Sequence, residues 1–180
     1  DTVRMMVGQF EKVCGELSPL LVKRDRARHQ LVTLASIVEK EAVEASEQPL
    51  IASVFFNRLR KGMRLQSDPT AVYGVRPFAG KVSRRDILRS SPYNTYRING
   101  LPPGPIGNPG RGALQAVLNP RSTPYFYFVA RNDGTHFFST TLDQHNMAVK
   151  KYLKGKVKDS TASGRVPEYR NDHPSFAGGR

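Results

Sequence analysis

The sequence predicts an α+β domain, and three patterns carry that prediction. Apolar residues recur at helical spacing in several separate stretches. One aromatic-rich segment, Tyr125 to Ser139, reads as a β-hairpin. A hydrophobic content of 38% over 180 residues is enough for one substantial core and not for two. The expected architecture is a helical core with a small antiparallel sheet at one side.

Val3 to Leu17 opens the chain as an amphipathic helix, with Val3, Met6, Val7, Phe10 and Val13 on one stripe. Lys23 to Arg28 is a basic connector, so residues 1–30 form a helical lead-in. Leu31 to Ala45 is the next helix: at about 100° per residue, Leu31, Leu34, Ala35, Val38, Ala42 and Ala45 share one face. Pro49 suits a first helical turn, and Leu50, Ile51, Val54, Phe55 and Leu59 give that helix its stripe. Arg58, Arg60 and Lys61 gather at its end before Gly62. These two helices are expected to pack together.

Asp68 stands before Pro69, where it would cap a short helix. Asp86 to Ser90 reads as another short helix behind Ser83, and Arg111 to Leu118 as a third that stops near Asn119-Pro120. Tyr96 to Ile98 followed by Asn99-Gly100 marks a turn, and Gly100 to Gly107 is too rich in Gly and Pro for an element interior, which suits a cleft wall. Tyr125 to Ala130, the turn Arg131 to Gly134, and Thr135 to Ser139 make the hairpin. Thr141 to Tyr152 returns to helix. From Gly155 to Arg180 the chain has little to bury and reads as a basic, unpacked tail, leaving 1–154 as the folded domain.

Composition narrows the function classes. Cys14 is the one cysteine, and no cysteine and histidine cluster has zinc spacing, so no disulfide, metal or cofactor is indicated. No apolar run approaches the roughly 18 residues of a membrane span, and Asp1-Thr2-Val3-Arg4 lacks the apolar region of a signal peptide. The net charge of +13 calls for an acidic partner, either nucleic acid, anionic lipid or an anionic polymer, unless it only solubilises the surface. The basic residues do not cluster on one predicted helix and form no nucleic-acid-binding motif, which argues against a nucleic-acid module.

The chemistry concentrates in Leu34-Ala35-Ser36-Ile37-Val38-Glu39-Lys40-Glu41-Ala42. Glu41 lies roughly 65° from the centre of the apolar face and Glu39 roughly 95° on the other flank, with Glu44 and Glu47 further out. Glu41 is therefore the carboxyl at the core margin. Burial disfavours its anion, raises its pKa and equips it as a general acid near neutral pH. The plain alternative is a border Glu that pairs with an Arg or reaches water. The four histidines, His136 on a strand and His145 on a helix among them, are expected to be satisfied or exposed.

Downstream come Arg64-Leu65-Gln66-Ser67-Asp68-Pro69-Thr70, then Tyr93-Asn94-Thr95-Tyr96, then Gly100-Leu101-Pro102-Pro103-Gly104-Pro105-Ile106. In this order behind the Glu-Lys-Glu helix, they resemble the MltG (YceG-like) endolytic murein transglycosylases from about Leu31 to about Tyr152. The resemblance implies that Glu41, the second Glu of the run, is the catalytic acid, the same residue that the helical geometry selects. It implies a substrate cleft lined by Gln66, Ser67, Asp68, Tyr93, Asn94 and Glu39. Gln66 is similar to the Gln of a Gly-Leu-Met-Gln motif in the wider lytic transglycosylase clan, although Arg64 replaces the motif's start. Tyr93-Asn94 resembles the clan's Ala-Tyr-Asn segment, whose Asn is suited to an N-acetyl carbonyl. For each of these an ordinary loop, turn or cap role is the competing reading.

The implied reaction is lytic cleavage of the β-1,4 bond between N-acetylmuramic acid and N-acetylglucosamine, giving a 1,6-anhydro end, with one Glu as acid and then base. The implied partners are peptidoglycan strands and, in the full-length protein, cell-wall synthesis enzymes, with no nucleic acid and no cofactor. The implied location is the bacterial inner membrane, through an N-terminal anchor that this chain lacks, with the catalytic part facing the periplasm or wall. A non-catalytic murein-binding scaffold is the alternative from another class.

Overall fold

The computed structural model describes residues 1–17 and 25–154. The tail expected over Gly155 to Arg180 and the start of the basic connector lie outside the described residues. Helix α1 spans Thr2–Leu17, α2 Asp25–Glu41, α3 Gln48–Arg60, α4 Asp68–Val72, α5 Arg84–Leu88 and α6 Arg111–Leu118. Strands β1 (Tyr127–Ala130) and β2 (His136–Ser139) follow, then α7 (Leu142–Val149) and a π turn over Lys150–Lys154. The expected α+β architecture is what the chain adopts, with helices around a core and one antiparallel pair of strands.

Helix α2 is the centre of the molecule. Thr33 to Val38 are all buried, so the helix is enclosed on far more than one stripe. Ile37 is among the core residues at 0% exposure, and Glu41 stands one turn further along the same row. Against α2 pack Ile51, Ala52 and Phe55 of α3, Ala113, Leu114, Ala116 and Val117 of α6, and the loop residues Leu65 and Ile106. The expected packing of α2 on α3 is present, and α6 completes the layer.

The bounds of α2 differ from the Leu31 to Ala45 reading. Part of the basic connector, from Asp25 on, is already helix, and the helix stops at Glu41. The cause of the early stop is topological. Residues 42–44 and a 3-10 turn over Ala45–Glu47 reverse the chain so that α3 returns along α2. Ala45 is exposed rather than on the core face, and Glu47 turns inward. Its carboxylate accepts from the His136 backbone N–H at 3.0 Å and meets His136 Nδ1 at 2.7 Å, fastening the hairpin to the turn.

The hairpin pairs Tyr127 with Ser139, Phe128 with Phe138, Val129 with Phe137 and Ala130 with His136. Its tight turn uses left-handed φ at Asn132 (65°) and Gly134 (90°), as a short connection between twisted strands requires. It docks on α3 edge-on, with Phe128 5.9 Å from Phe55. Asn57 holds the approach strand by donating to the carbonyls of Thr123 and Tyr125, both at 2.8 Å.

Three smaller elements shift from expectation. Helix α5 begins at Arg84, and Asp86 is the third residue of a capping box with Ser83, not the helix's leading residue. Ser67, not Asp68, is the N-cap of α4. The stripe of α1 is covered only toward its end: Cys14 is buried, while Met5, Met6 and Val7 are at least half exposed.

Candidate active site

The candidate site forms where α2 ends and α4 begins. Glu41 is the last residue of α2, where the helix dipole presents its negative end and adds to the cost of an anion. Ser67 faces it from the N-cap of α4. Serine at that position normally satisfies a backbone N–H, but here its hydroxyl makes no cap bond. It donates instead to Glu41 Oε1 at 2.6 Å.

The loop that carries Ser67 is tied from below. Ser67 N–H donates to Thr95 Oγ1 at 2.9 Å, and the hydroxyls of Thr70 and Thr95 meet at 2.7 Å. Both threonines are fully buried. Gln66 N–H donates to the Thr95 carbonyl at 3.2 Å, and Gln66 itself sits at φ 51°, a left-handed conformation that a non-glycine residue adopts at a cost. Asp68 completes the cluster and accepts from the Tyr96 hydroxyl at 2.5 Å.

Burial pushes the Glu41 carboxyl up to about 7, against the Ser67 hydrogen bond, while the neighbouring Asp68 charge raises it further; the Asp68 backbone N–H and the Arg58 charge pull the other way. The residue keeps an opening to solvent, so a protonated carboxyl at neutral pH is also reachable. Burial raises Asp68 as well, opposed by the Tyr96 hydroxyl. The arrangement supplies one carboxyl that holds a proton near neutrality, with a second carboxyl, also raised by burial, beside it. A carboxyl that keeps its proton near neutral pH is suited to general acid catalysis.

The structure brings together four of the residues singled out from sequence: Glu41, Gln66, Ser67 and Asp68. Gln66 turns its side-chain oxygen to Arg58 Nη1 at 3.3 Å, beneath the site. Glu39 lies on another side of α2, within 3.4 Å of Gln48 Nε2 and of the Gly110 N–H. Tyr93 is half-buried, its ring 4.6 Å from that of Tyr73.

Asn94 departs from its expected role as a sugar contact. It is fully buried, and its amide donates to the carbonyls of Asp86, Ile87 and Arg89 while its oxygen accepts from Tyr96 N–H. Its hydrogen-bonding capacity is spent on closing α5 and shaping the turn that presents Tyr96. The Gly100 to Gly107 segment runs along α2, with Ile106 N–H donating to Ser36 Oγ at 3.0 Å. Two open hollows of about 310 and 370 Å³ lie by Gln48 and Gln115 and by Phe10 and His29, and neither is lined by Glu41.

Sequence reasoning missed Arg58, Thr95 and Tyr96. Arg58 is 7% exposed rather than a solvated helix-end cation. The signal was present: Arg58 falls four residues after Val54 and seven after Ile51, on the buried stripe. Among the histidines, His29 and His136 have partners, but His145 Nδ1 is buried without one among the described residues, contrary to expectation, and burial lowers that ring's pKa. Among the described residues no three His, Cys, Asp or Glu side chains group to hold a metal, and no helix is long and apolar enough to cross a membrane.

Known proteins resemble this chain over most of its length. An endolytic murein transglycosylase of Bacillus subtilis (strain 168) is 40% identical over 156 residues, covering 87% of this chain and 43% of that protein. One from Streptococcus pneumoniae serotype 2 is 32% identical over 158 residues, covering 84% of this chain and 29% of that protein. The chain thus spans less than half the length of these relatives. A 2.6 Å crystal structure of a YceG-like protein from Listeria monocytogenes superposes with a TM-score of 0.70 at 44% identity, covering 75% of this chain and 44% of that one. The model of the YceG-like family matches residues 1–151, a stretch that takes in Glu41, its Ser67 partner and every helix that positions them. On that match, the chain belongs to the YceG-like family.

Proposed function

We propose that this chain is the catalytic part of an endolytic peptidoglycan lytic transglycosylase, with Glu41 as acid and then base. The observation that carries this reading is the Glu41 carboxyl itself, aimed by Ser67 and partly open to solvent, with burial pushing its pKa up to about 7. A group that holds a proton at working pH and can release it is what a general acid requires.

Glu41 gives its proton to the glycosidic oxygen between N-acetylmuramic acid and N-acetylglucosamine as the C1–O bond breaks. The muramyl acetamide stabilises the cationic C1. The Glu41 carboxylate then takes the proton of the muramyl C6 hydroxyl, whose oxygen bonds to C1. A 1,6-anhydro end forms, no water is consumed, and Glu41 finishes protonated. Asp68 holds the substrate side of the cleft, and Ser67 steadies Glu41 while it is ionised, since a hydrogen bond to the charged form favours it. The wall polymer as substrate fits a location at the inner membrane with the catalytic part facing the wall.

Hydrolysis is the second reading, and the proximity of Asp68 to Glu41 favours it, because glycoside hydrolases use two carboxylates. Digestion of sacculi in oxygen-18 water separates the two. Transglycosylation yields unlabelled anhydro ends at internal and terminal positions; labelled reducing ends would establish hydrolysis. Binding with no cleavage by a folded chain would leave a murein-binding scaffold.

A further inference from the structure

Arg58 is a buried cation with an unusual set of partners. Its Nε donates to the Phe126 carbonyl at 2.6 Å, and its Nη1 reaches the carbonyls of Leu65 at 2.8 Å and Arg64 at 3.3 Å as well as Gln66 Oε1 at 3.3 Å. The guanidinium lies over the Tyr127 ring at 5.2 Å from its centroid. Among the described residues no carboxylate meets it at ion-pair distance. Every partner named is neutral. A guanidinium enclosed in this way is costly unless something offsets its charge.

The geometry joins two places. The Phe126 carbonyl leads into β1, and residues 64–66 form the bend that ends in Ser67, whose hydroxyl reaches Glu41. Gln66 can hold its left-handed φ of 51° only where its surroundings insist on it, and Arg58 grips the two carbonyls before it and its own amide oxygen. We propose that Arg58 is a positioning residue for the Glu41 site: it locks the 64–66 bend that aims Ser67, and its unneutralised charge favours the ionised Glu41 between proton donation and proton recovery.

This rests on Glu41 as acid and then base. Before donation the Arg58 cation stands across the 65–67 bend from a neutral acid; after it, the Arg58 charge favours the Glu41 carboxylate across that same bend. Among the described residues, few charged or titratable groups act on the two. Asp68 on α4 opposes ionisation of Glu41, Tyr96 faces Asp68, and Tyr127 of β1 and His145 of α7 stack behind Arg58. Glu39 and Lys40 share α2 but face the 107–110 segment. His145 is held toward its neutral form by burial and by Arg58, so it adds no second charge that would replace Arg58.

Two substitutions divide the two roles, read by carbon-13 titration of the Glu41 carboxyl, assigned by its loss in Glu41→Gln, and by turnover of sacculi. Arg58→Gln removes the charge: the Glu41 midpoint moves to higher pH, and the alkaline limb of the rate profile moves with it. Arg58→Lys keeps the charge but cannot span the Phe126 and Leu65 carbonyls: the midpoint stays near the parent value while turnover falls about ten-fold or more. An unmoved midpoint in Arg58→Gln, or parental turnover in Arg58→Lys, overturns the proposal. If Arg58→Gln does not fold, the Arg58→Lys pair of readings decides alone, with an upward midpoint or full turnover as the adverse result. The titration does not depend on the product, so labelled reducing ends would defeat the transglycosylase reading while leaving the Arg58 coupling measurable.

Discussion

Glu41 holds its proton because folding makes the carboxylate expensive, and that expense weakens the fold. The ordinary value near 4.5 rises to about 7 on folding. The native state therefore binds the proton more tightly than the unfolded chain, and stability falls as pH climbs through that window. Glu41→Gln removes the penalty. The variant is expected to lack cleavage yet to melt above the parent at pH 8, by several degrees, on the order of 2–3 kcal/mol, and to match it near pH 4.5. Calorimetry at the two pH values checks the sign; equal melting at both would mean that Glu41 titrates normally. Glu39, bonded to Gln48 and Gly110 on another side of α2, offers the control: Glu39→Gln should cleave more than Glu41→Gln does.

The short elements matter for what they hold in place. Asn94 closes α5 by donating to three carbonyls from a fully buried position. Asn94→Ala strands those acceptors, so a loss of about 3 kcal/mol and a drop of roughly 6–12 °C in melting temperature are expected. Murein affinity per folded molecule should change little, and a selective loss of affinity without a melting shift would restore Asn94 as a sugar contact. Helical spacing made α2, α3 and α6 legible, and aromatic strands around a tight turn made the hairpin legible, because their patterns are local. The place of Glu41 at the core margin was legible for the same reason. The inward turn of Glu47 and the saturation of Asn94 were not, since each depends on a partner far along the chain, His136 for Glu47 and the backbone of α5 for Asn94. Arg58 was misread for a different reason. Its charge outweighed its position on the buried stripe, although the cation's buried donors found enough carbonyls to make that position tenable.

At the scale of the molecule, the charge of +13 bears on how the chain would meet the anionic glycan proposed as its substrate. If the charge serves binding, retention of the Glu41→Gln chain on sacculi should fall several-fold as ionic strength rises from about 50 to 300 mM, since screening shortens the reach of exposed charges. Retention indifferent to salt would assign the surplus to solubility. Helix α2 runs enclosed through the middle of the fold and delivers Glu41 at its final residue. This makes the chain unevenly tolerant of length change. One residue inserted between Leu34 and Ile37 advances the end of α2 by about 1.5 Å and rotates Glu41 by about 100°, swinging the acid away from Ser67 and driving Ile37 and Val38 off their seats. One residue inserted between Glu44 and Ala45 lengthens an exposed reversal and leaves the acid where it is. A scan of single-residue insertions should therefore find a sharp edge at Glu41, with inactive, poorly folded chains before it and active ones just after.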